Sequence, residues 1–299
     1  MAIVAGIDLG GTGCRVVIQS DGTIIARTTA LTAQLGEGSE AARVSRLAEA
    51  VLALLPAGGS LTRVGFGASG PVDRVQGIVR NPATLPTFSG FPLAADLSAR
   101  LGVPVIMDND AVVAAIGEYH VGAGNAARRM LMVTLGTGIG VAFLLDGAPF
   151  RGPGDLHPEA GHIPIVTSTA RCYCGAYGCW EQMASRAALQ AMLRPLLPPD
   201  VEGHELIERA VNTREDSRIE RAFDDYGRLV GRGLSALHAL YMPEVTVIGG
   251  SIAPHFERFR AGIEAELTHT NTLAAPVVIR AASLGDDAGA IGAALMVSR

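Results

Sequence analysis

The sequence predicts an α/β protein of about two domains, and three observations carry that expectation. The first is a repeated strand signal. Residues 3–22 and 131–147 each read as an apolar, β-branched run, a Gly/Thr turn, a second apolar run and then Asp-Gly. That pattern is a β-hairpin with a glycine-rich tip, with Asp-Gly turning the chain into a third strand. Two such starts about 125 residues apart suggest two similar α/β domains. The second observation is helical periodicity between and after the hairpins. The third is composition: 299 residues with 37 Gly, 5% aromatics and 48% hydrophobic residues. A chain of that length can bury a large core, and its make-up is that of an enzyme rather than a disulfide scaffold or a disordered segment.

After the first hairpin, residues 40–55 place Val44, Leu47, Ala48, Val51 and Leu55 on one helical face, which ends at Pro56. Residues 61–73 read as a strand entering a Gly/Pro turn, and residues 103–107 as another apolar strand. Asp108-Asn109-Asp110 follows directly, then a helix over 111–119. Asp110 therefore lies where a strand's carboxyl end meets a helix, a common position for reactive groups in α/β folds. In the second half, 184–193 reads as a helix ended by Pro195, and 218–240 as a longer one. Gly227, Gly231 and Gly233 lower the propensity of that longer helix and point to close backbone approach. Residues 245–249 are a buried strand running into Gly249-Gly250, and 286–297 form a final helix.

Composition excludes several chemistries. The net charge of −5 comes with no basic run, which argues against a nucleic-acid partner. No apolar stretch approaches the ~18 residues that span a bilayer, and the N-terminus enters a strand without a charged leader. A cytoplasmic protein is expected. All 24 basic residues are arginine. Without lysine there is no Walker A loop, no protein-kinase strand Lys and no Schiff base to pyridoxal. Any nucleotide must be held largely by backbone amides and helix dipoles.

The densest chemistry lies at 157–181, where His162, Cys172, Cys174 and Cys179 fall within eighteen residues. One His and three Cys complete a tetrahedral zinc set, and closed sets are structural rather than catalytic. Cys-x-Cys spacing in a reducing compartment favours metal over a disulfide. Cys14 reads as a small buried apolar residue, and His157 as a hydrogen-bonding or surface His. Glu159 and Glu181 flank the metal; they either face one cleft or are solvated surface charge. Three glycine turns each follow a β-branched strand: Asp8 to Gly13 (with Gly10, Gly11 and Thr12), Thr134 to Gly140 (with Gly136, Thr137 and Gly138), and Gly249-Gly250. Glycine lets backbone approach phosphate, Thr12 adds a hydroxyl, and Asp8 is a candidate for Mg²⁺. The alternative is three tight turns without a ligand. Asp110 beside Asn109 is either a general base or the N-cap of the helix after it.

On these residues the chain closely resembles the ROK family (repressors, open reading frames and sugar kinases). The motifs are Asp8-Leu-Gly-Gly-Thr12, Gly65-Phe-Gly-Ala-Ser-Gly70-Pro-Val-Asp73 and Asp108-Asn109-Asp110-Ala. They continue with Leu135-Gly-Thr-Gly-Ile-Gly140, Glu159-Ala-Gly-His162, Cys172-x-Cys174-Gly-x-x-Gly178-Cys179-x-Glu181, Val247-Ile-Gly-Gly250 and Gly285-Asp-Asp-Ala-Gly289. The resemblance implies a two-domain actin-like ATPase (ribonuclease H-like) fold with an interdomain cleft. One domain would be 1–109 with the returning helix 288–299, the other 110–287. It implies an ATP-dependent hexose kinase of glucokinase type acting on a 6-hydroxyl. N-acetylmannosamine, fructose and allose kinases are the alternatives, and a hexose or N-acetylhexosamine is the substrate. By the same resemblance Asp110 is the catalytic base, while Gly70, Asn109, Glu159, His162 and Glu181 line the sugar. Asp8 and Thr12 approach the γ-phosphate and Mg²⁺, and Gly249-Gly250 lies against the adenosine. Zinc is structural and a homodimer is expected. The chain departs from the family pattern at Gly13, where many members carry Lys or Asn, and at Val112, where Asn is frequent. Residues 83–88 match the sugar-loop pattern Asn-Leu-Pro-x-Trp only loosely. His157-Pro158-Glu159 is similar to ROK fructokinases, and the Cys element to the glucokinase and N-acetylmannosamine kinase branch. Repressor members carry an N-terminal helix-turn-helix, for which there is no room before the strand starting at Ile3.

Overall fold

The computed structural model describes residues 3–213, 215–270 and 278–298. The strands, in chain order, are β1 (Ile3–Leu9), β2 (Gly13–Ser20), β3 (Thr23–Leu31), β4 (Leu61–Ala68), β5 (Val72–Asp73), β6 (Ile78–Val79), β7 (Val105–Asn109), β8 (Arg129–Leu135), β9 (Ile139–Leu145), β10 (Ala148–Pro149), β11 (Val245–Gly249) and β12 (Val278–Ala281). The helices are α1 (Thr32–Leu35), α2 (Glu40–Leu52), α3 (Leu93–Leu101), α4 (Asp110–Val121), α5 (Trp180–Ala184), α6 (Arg186–Leu193), α7 (Gly203–Asn212), α8 (Ser217–Tyr241), α9 (Phe256–Thr270) and α10 (Ala288–Ser298). None of them is long and apolar enough to cross a membrane.

Contacts divide the chain into two compact units. One comprises Met1–Ala126, Ala142–Pro158 and Asp286–Arg299, the other Ala127–Val141 and Glu159–Gly285. The sequence places a boundary before Asp110, whereas in the structure α4 falls in the first unit. The reason is its packing along α10: a Cβ on Gly292 would strike the Val113 carbonyl.

The first unit holds a five-stranded sheet in the order β3-β2-β1-β4-β7. β1–β3 form the antiparallel meander expected from the Asp-Gly turn, and β1, β4 and β7 run parallel. Val44, Leu47 and Val51 of α2 and Leu93 and Leu97 of α3 join Ile7, Leu9, Val16, Ile18 and Phe66 in one core. The other face takes α10, where Ala290, Ala294 and Val297 meet Val4 and Val17. Contact there is backbone to backbone: a side chain on Gly6 would meet the Ala290 carbonyl and one on Gly65 the Ala293 carbonyl. The small residues of α10 and these two glycines fit one another, which brings the helix backbone against the middle of β1 and β4.

A second five-stranded sheet has the order β10-β9-β8-β11-β12, with β8, β11 and β12 parallel. In the second unit the long helix α8 buries Ile219, Phe223, Tyr226, Val230, Leu234 and Leu237 on one stripe. It lies against α9 through Gly227, where a Cβ would strike the Phe259 carbonyl. Trp180 of α5 is fully buried, and its Nε1–H donates to the Leu229 carbonyl at 3.0 Å.

Candidate active site

In the first unit the tip of the β1–β2 hairpin is closed by the Gly10 N–H donating to the Gly13 carbonyl at 2.9 Å. Thr32 secures it from the side, its hydroxyl donating to the Gly10 carbonyl at 2.6 Å and its N–H to the Thr12 carbonyl at 3.1 Å. Gly11 and Thr12 stand exposed at the tip. Asp8 lies behind it with α10 against its carboxylate, because only Gly289 leaves room for it. Burial and the charge of Asp110 push the Asp8 carboxyl up from 3.8 to about 7, with Arg15 partly offsetting them.

Asp110 is the first residue of α4, and Asn109 rather than Asp110 is its N-cap. The Asn109 Oδ1 accepts the Ala111 N–H at 2.9 Å, while Asp110 Oδ1 accepts the same N–H at 2.8 Å. The other oxygen, Oδ2, accepts the Ser69 hydroxyl at 2.7 Å. Burial raises the Asp110 carboxyl despite these hydrogen bonds. Gly70 lies beside Asn109, and a side chain there would meet the Asn109 amide. A desolvated carboxylate whose pKa is raised further by a neighbouring carboxylate is a donor that a divalent cation would relieve. Asp8 beside Asp110 therefore suits Mg²⁺.

Two features of this region were not singled out from sequence. Ser69 lies inside the Gly65 to Asp73 motif, but no local pattern marks its hydroxyl as a partner of Asp110. Asp108 is 1% exposed and receives both Arg151, through two nitrogens, and Arg74, at 3.1 Å. It also accepts the Asn109 N–H at 2.8 Å. Arg74 reaches Asp155 as well. This buried cluster anchors the segment from which Asp110 projects. His157 joins its field: burial holds its imidazole below the usual range. Asn81, two residues before the loosely matched sugar-loop region, donates to the Gly70 carbonyl at 2.8 Å.

In the second unit the other two glycine turns lie side by side. β8 and β11 pair with Gly249 opposite Thr134, and the Ile252 N–H donates to the Leu135 carbonyl at 3.1 Å. Gly250 has a left-handed φ of 82°, and a side chain on it would strike Leu135. The Gly136 N–H donates to the Gly138 carbonyl at 3.0 Å, and the Thr134 hydroxyl donates to the Gly140 carbonyl at 3.4 Å. Glu181 rests on the hairpin tip. Its Oε2 accepts the Ile139 N–H at 2.9 Å, and only glycine at 138 makes room for it.

His162, Cys172, Cys174 and Cys179 converge, their ligand atoms all within 4.8 Å of one another. The Cys174 and Cys179 sulfurs are 3.6 Å apart, and Cys172 Sγ is 3.7 Å from His162 Nδ1. All three cysteines are free. The edges of a zinc tetrahedron with bonds of about 2.0–2.3 Å are about 3.5–3.8 Å, so the set fits the ion. Burial and the neighbouring thiols push the metal-free Cys179 thiol up to about 12. Around the cluster, the Cys172 N–H donates to the Ala176 carbonyl at 2.8 Å and the Trp180 N–H to the Ile163 carbonyl at 2.9 Å. These bonds tie the loop to the start of α5, which carries Glu181 in its first turn. Tyr173, between two cysteines, places its hydroxyl 3.1 Å from His162 Nε2. Burial, Glu181, Cys172 and Glu159 together raise its phenol. Glu159, His162 and Glu181 thus meet around one tyrosine that the sequence pattern did not single out.

Glycine-tipped hairpins, paired desolvated carboxylates and a Cys₃His loop are the parts of a nucleotide-dependent phosphotransferase. Residues 4–299 match the model of the ROK family, and the chain belongs to that family. It is similar to the glucokinase of Streptomyces coelicolor, at 31% identity over 98% of this chain and 97% of that protein. The crystal structure of a ROK family glucokinase from Streptomyces griseus in complex with glucose and AMPPNP matches with a TM-score of 0.82, at 29% identity over 99% of both chains. The N-acetylmannosamine kinase of Vibrio cholerae is 31% identical over 86% of this chain and 88% of that protein. The actin-like ATPase fold and the ATP-dependent sugar kinase class follow for this chain.

Proposed function

We propose that this protein transfers the γ-phosphoryl group of Mg²⁺-ATP to the 6-hydroxyl of a glucose-type hexose, with Asp110 as the base. The observation that carries the reading is the setting of Asp110: at the start of α4, one oxygen held by Ser69, its carboxyl raised by burial. A base works best when its pKa lies near the working pH, and burial moves this one in that direction. Asp110 takes the proton from the sugar hydroxyl as the oxygen–phosphorus bond forms and the bond to ADP breaks. Asn109 spends its amide oxygen on capping α4, so Nδ2 is what it offers a sugar hydroxyl. Glu159, His162 and Glu181 are the remaining sugar contacts, with Gly70 beside them in role.

The nucleotide is held through backbone amides of Gly10, Gly11, Thr12 and Gly13 and of the Thr134–Gly140 turn, with Gly249-Gly250 toward the adenosine. Asp8 would hold Mg²⁺, which when bound would supply charge neutralisation for the phosphoryl group, and positioning by the chain supplies most of the rate. His162 and the three cysteines would hold a structural zinc, which would fix the loop that carries His162 and leads to Glu181.

A second reading is an N-acetylhexosamine kinase, favoured by the similarity to the Vibrio cholerae enzyme. A coupled ADP-release screen over about ten hexoses and N-acetylhexosamines decides between them. The highest kcat/KM on glucose supports the first reading and the highest on N-acetylmannosamine the second. Release of ADP on none of them overturns both.

A further inference from the structure

We infer that Ser69 is a positioning residue for the base: its hydroxyl sets the plane in which the Asp110 carboxylate meets the sugar. The inference rests on the reading of Asp110 as base and deepens it. A carboxylate turns easily about its last torsion, which is broad and two-fold. Asp110 Oδ1 accepts the Ala111 N–H at 2.8 Å, a bond within its own helix turn. That bond holds one oxygen only. Ser69, directly after β4, donates its hydroxyl to Oδ2 at 2.7 Å. Two bonds from separate segments, one to each oxygen, fix the plane.

Ser69 is itself held on both sides. Its N–H donates to the Leu9 carbonyl at the end of β1, at 3.1 Å. Its own carbonyl and that of Gly70 both accept from Asn81 Nδ2, at 3.4 and 2.8 Å. Asn81 is fixed in turn: its Oδ1 accepts the Thr84 N–H at 3.1 Å, and its N–H donates to the Ser89 hydroxyl at 3.2 Å. Leu9 lies between Asp8 and the glycine tip that begins at Gly10. Ser69 therefore ties the base to the strand end from which that tip projects. The same bond has an electrostatic sense. A hydroxyl donating to a carboxylate favours the charged form, and here it opposes the burial that raises the Asp110 carboxyl. The other charged groups of the neighbourhood are Asp8 on β1, with Arg15 on β2 and Asp286 before α10 in its field, and Asp108 on β7 with Arg74 and Arg151. Substitution at Ser69 leaves all of them in place.

The test is steady-state kinetics of the full chain against pH, with glucose and with N-acetylmannosamine at saturating Mg²⁺-ATP, in Ser69→Ala and Ser69→Thr. Alanine removes the hydroxyl; threonine keeps it. Denaturant unfolding checks that both variants are folded. Ser69→Ala should lower kcat on the order of tenfold with sugar KM nearly unchanged. The acid limb of kcat/KM reports the base before sugar binds. Without the hydroxyl that limb should move to higher pH by roughly 0.5–1 unit. Ser69→Thr should restore both rate and limb to near wild type. An unmoved limb in Ser69→Ala, or equal loss in both variants, overturns the assignment and leaves Asp110 as the base. A raised KM with kcat kept shows that Ser69 only shapes the sugar pocket and likewise overturns it. Near wild-type turnover in Asp110→Asn overturns the base reading and this inference together.

Discussion

At the scale of single residues, the proposed function rests on Asp8 and Asp110, two carboxylates of the first unit whose environments are set by their neighbours. Asp110→Asn keeps the cap and the shape but removes the proton acceptor. Turnover should fall by about 10²–10⁴-fold with sugar affinity largely kept; steady-state kinetics beside a sugar titration measure the split, and near wild-type turnover would exclude Asp110 as the base. Asp8 makes a separate prediction. Its folded pKa is raised from 3.8 to about 7, so the folded chain keeps a proton that the unfolded chain releases. Stability should therefore fall as pH rises from about 4 to about 7 and level off above that. Asp8→Asn should flatten that fall, and Asp110→Asn should reduce it by removing one of the charges that raise Asp8. Denaturant unfolding against pH, without divalent metal, checks both. A wild-type slope that survives in Asp8→Asn would assign it to another group. Residue types and motif spacing single out Asp8 and Asp110, both of which the structure buries. Ser69 and Tyr173 were not found, because their partners Asp110 and His162 come from other segments, and a lone hydroxyl carries no periodic signal.

At the scale of elements, the strands were legible because β-branched runs and glycine turns are local signals. Helix ends were less so. The run at 184–193 reads as one helix, but the chain forms α5 and α6 with a break at Ser185, which bonds its own downstream backbone. The glycines of α8 do mark close approach: α9 lies against Gly227 and Gly231, and the Trp180 ring of α5 against Gly233. This gives a prediction in which two effects oppose. Gly227→Ala should gain up to about 1 kcal/mol of helix propensity. Overpacking against the Phe259 carbonyl costs about 1–3 kcal/mol. Net destabilisation is expected in chemical denaturation, and a stabilised variant would mean that α8 and α9 separate at no cost. The Asp108 cluster belongs to this scale too: Arg74 and Arg151 brace the end of β7, and neither arginine lies in a motif with Asp108.

At the scale of the whole molecule, roles are divided. The first unit carries Asp110, the proposed base, and one glycine turn; the second carries the Cys₃His loop, the glutamates proposed to face the sugar, and the other two turns. On the proposed reading zinc would tie that second set together, since Cys179 immediately precedes the helix bearing Glu181, and Glu181 in turn accepts from the hairpin at Ile139. Protein prepared without chelators should contain about one zinc per chain. Stripping it, or substituting Cys174→Ser, should weaken sugar binding on the order of tenfold or more. Metal analysis with a sugar titration tests this, and full sugar affinity in zinc-free protein would show that the loop orders itself. The sequence by itself determined the α/β class, the family, the absence of lysine chemistry and the ligand types, because these depend on composition and on short-range spacing. Only the tertiary structure decided that α4 belongs with α10, that Asn109 and not Asp110 caps α4, and that Arg74 and Arg151 converge on Asp108. Those outcomes depend on backbone approach and on charges meeting across dozens of residues, which no local pattern encodes.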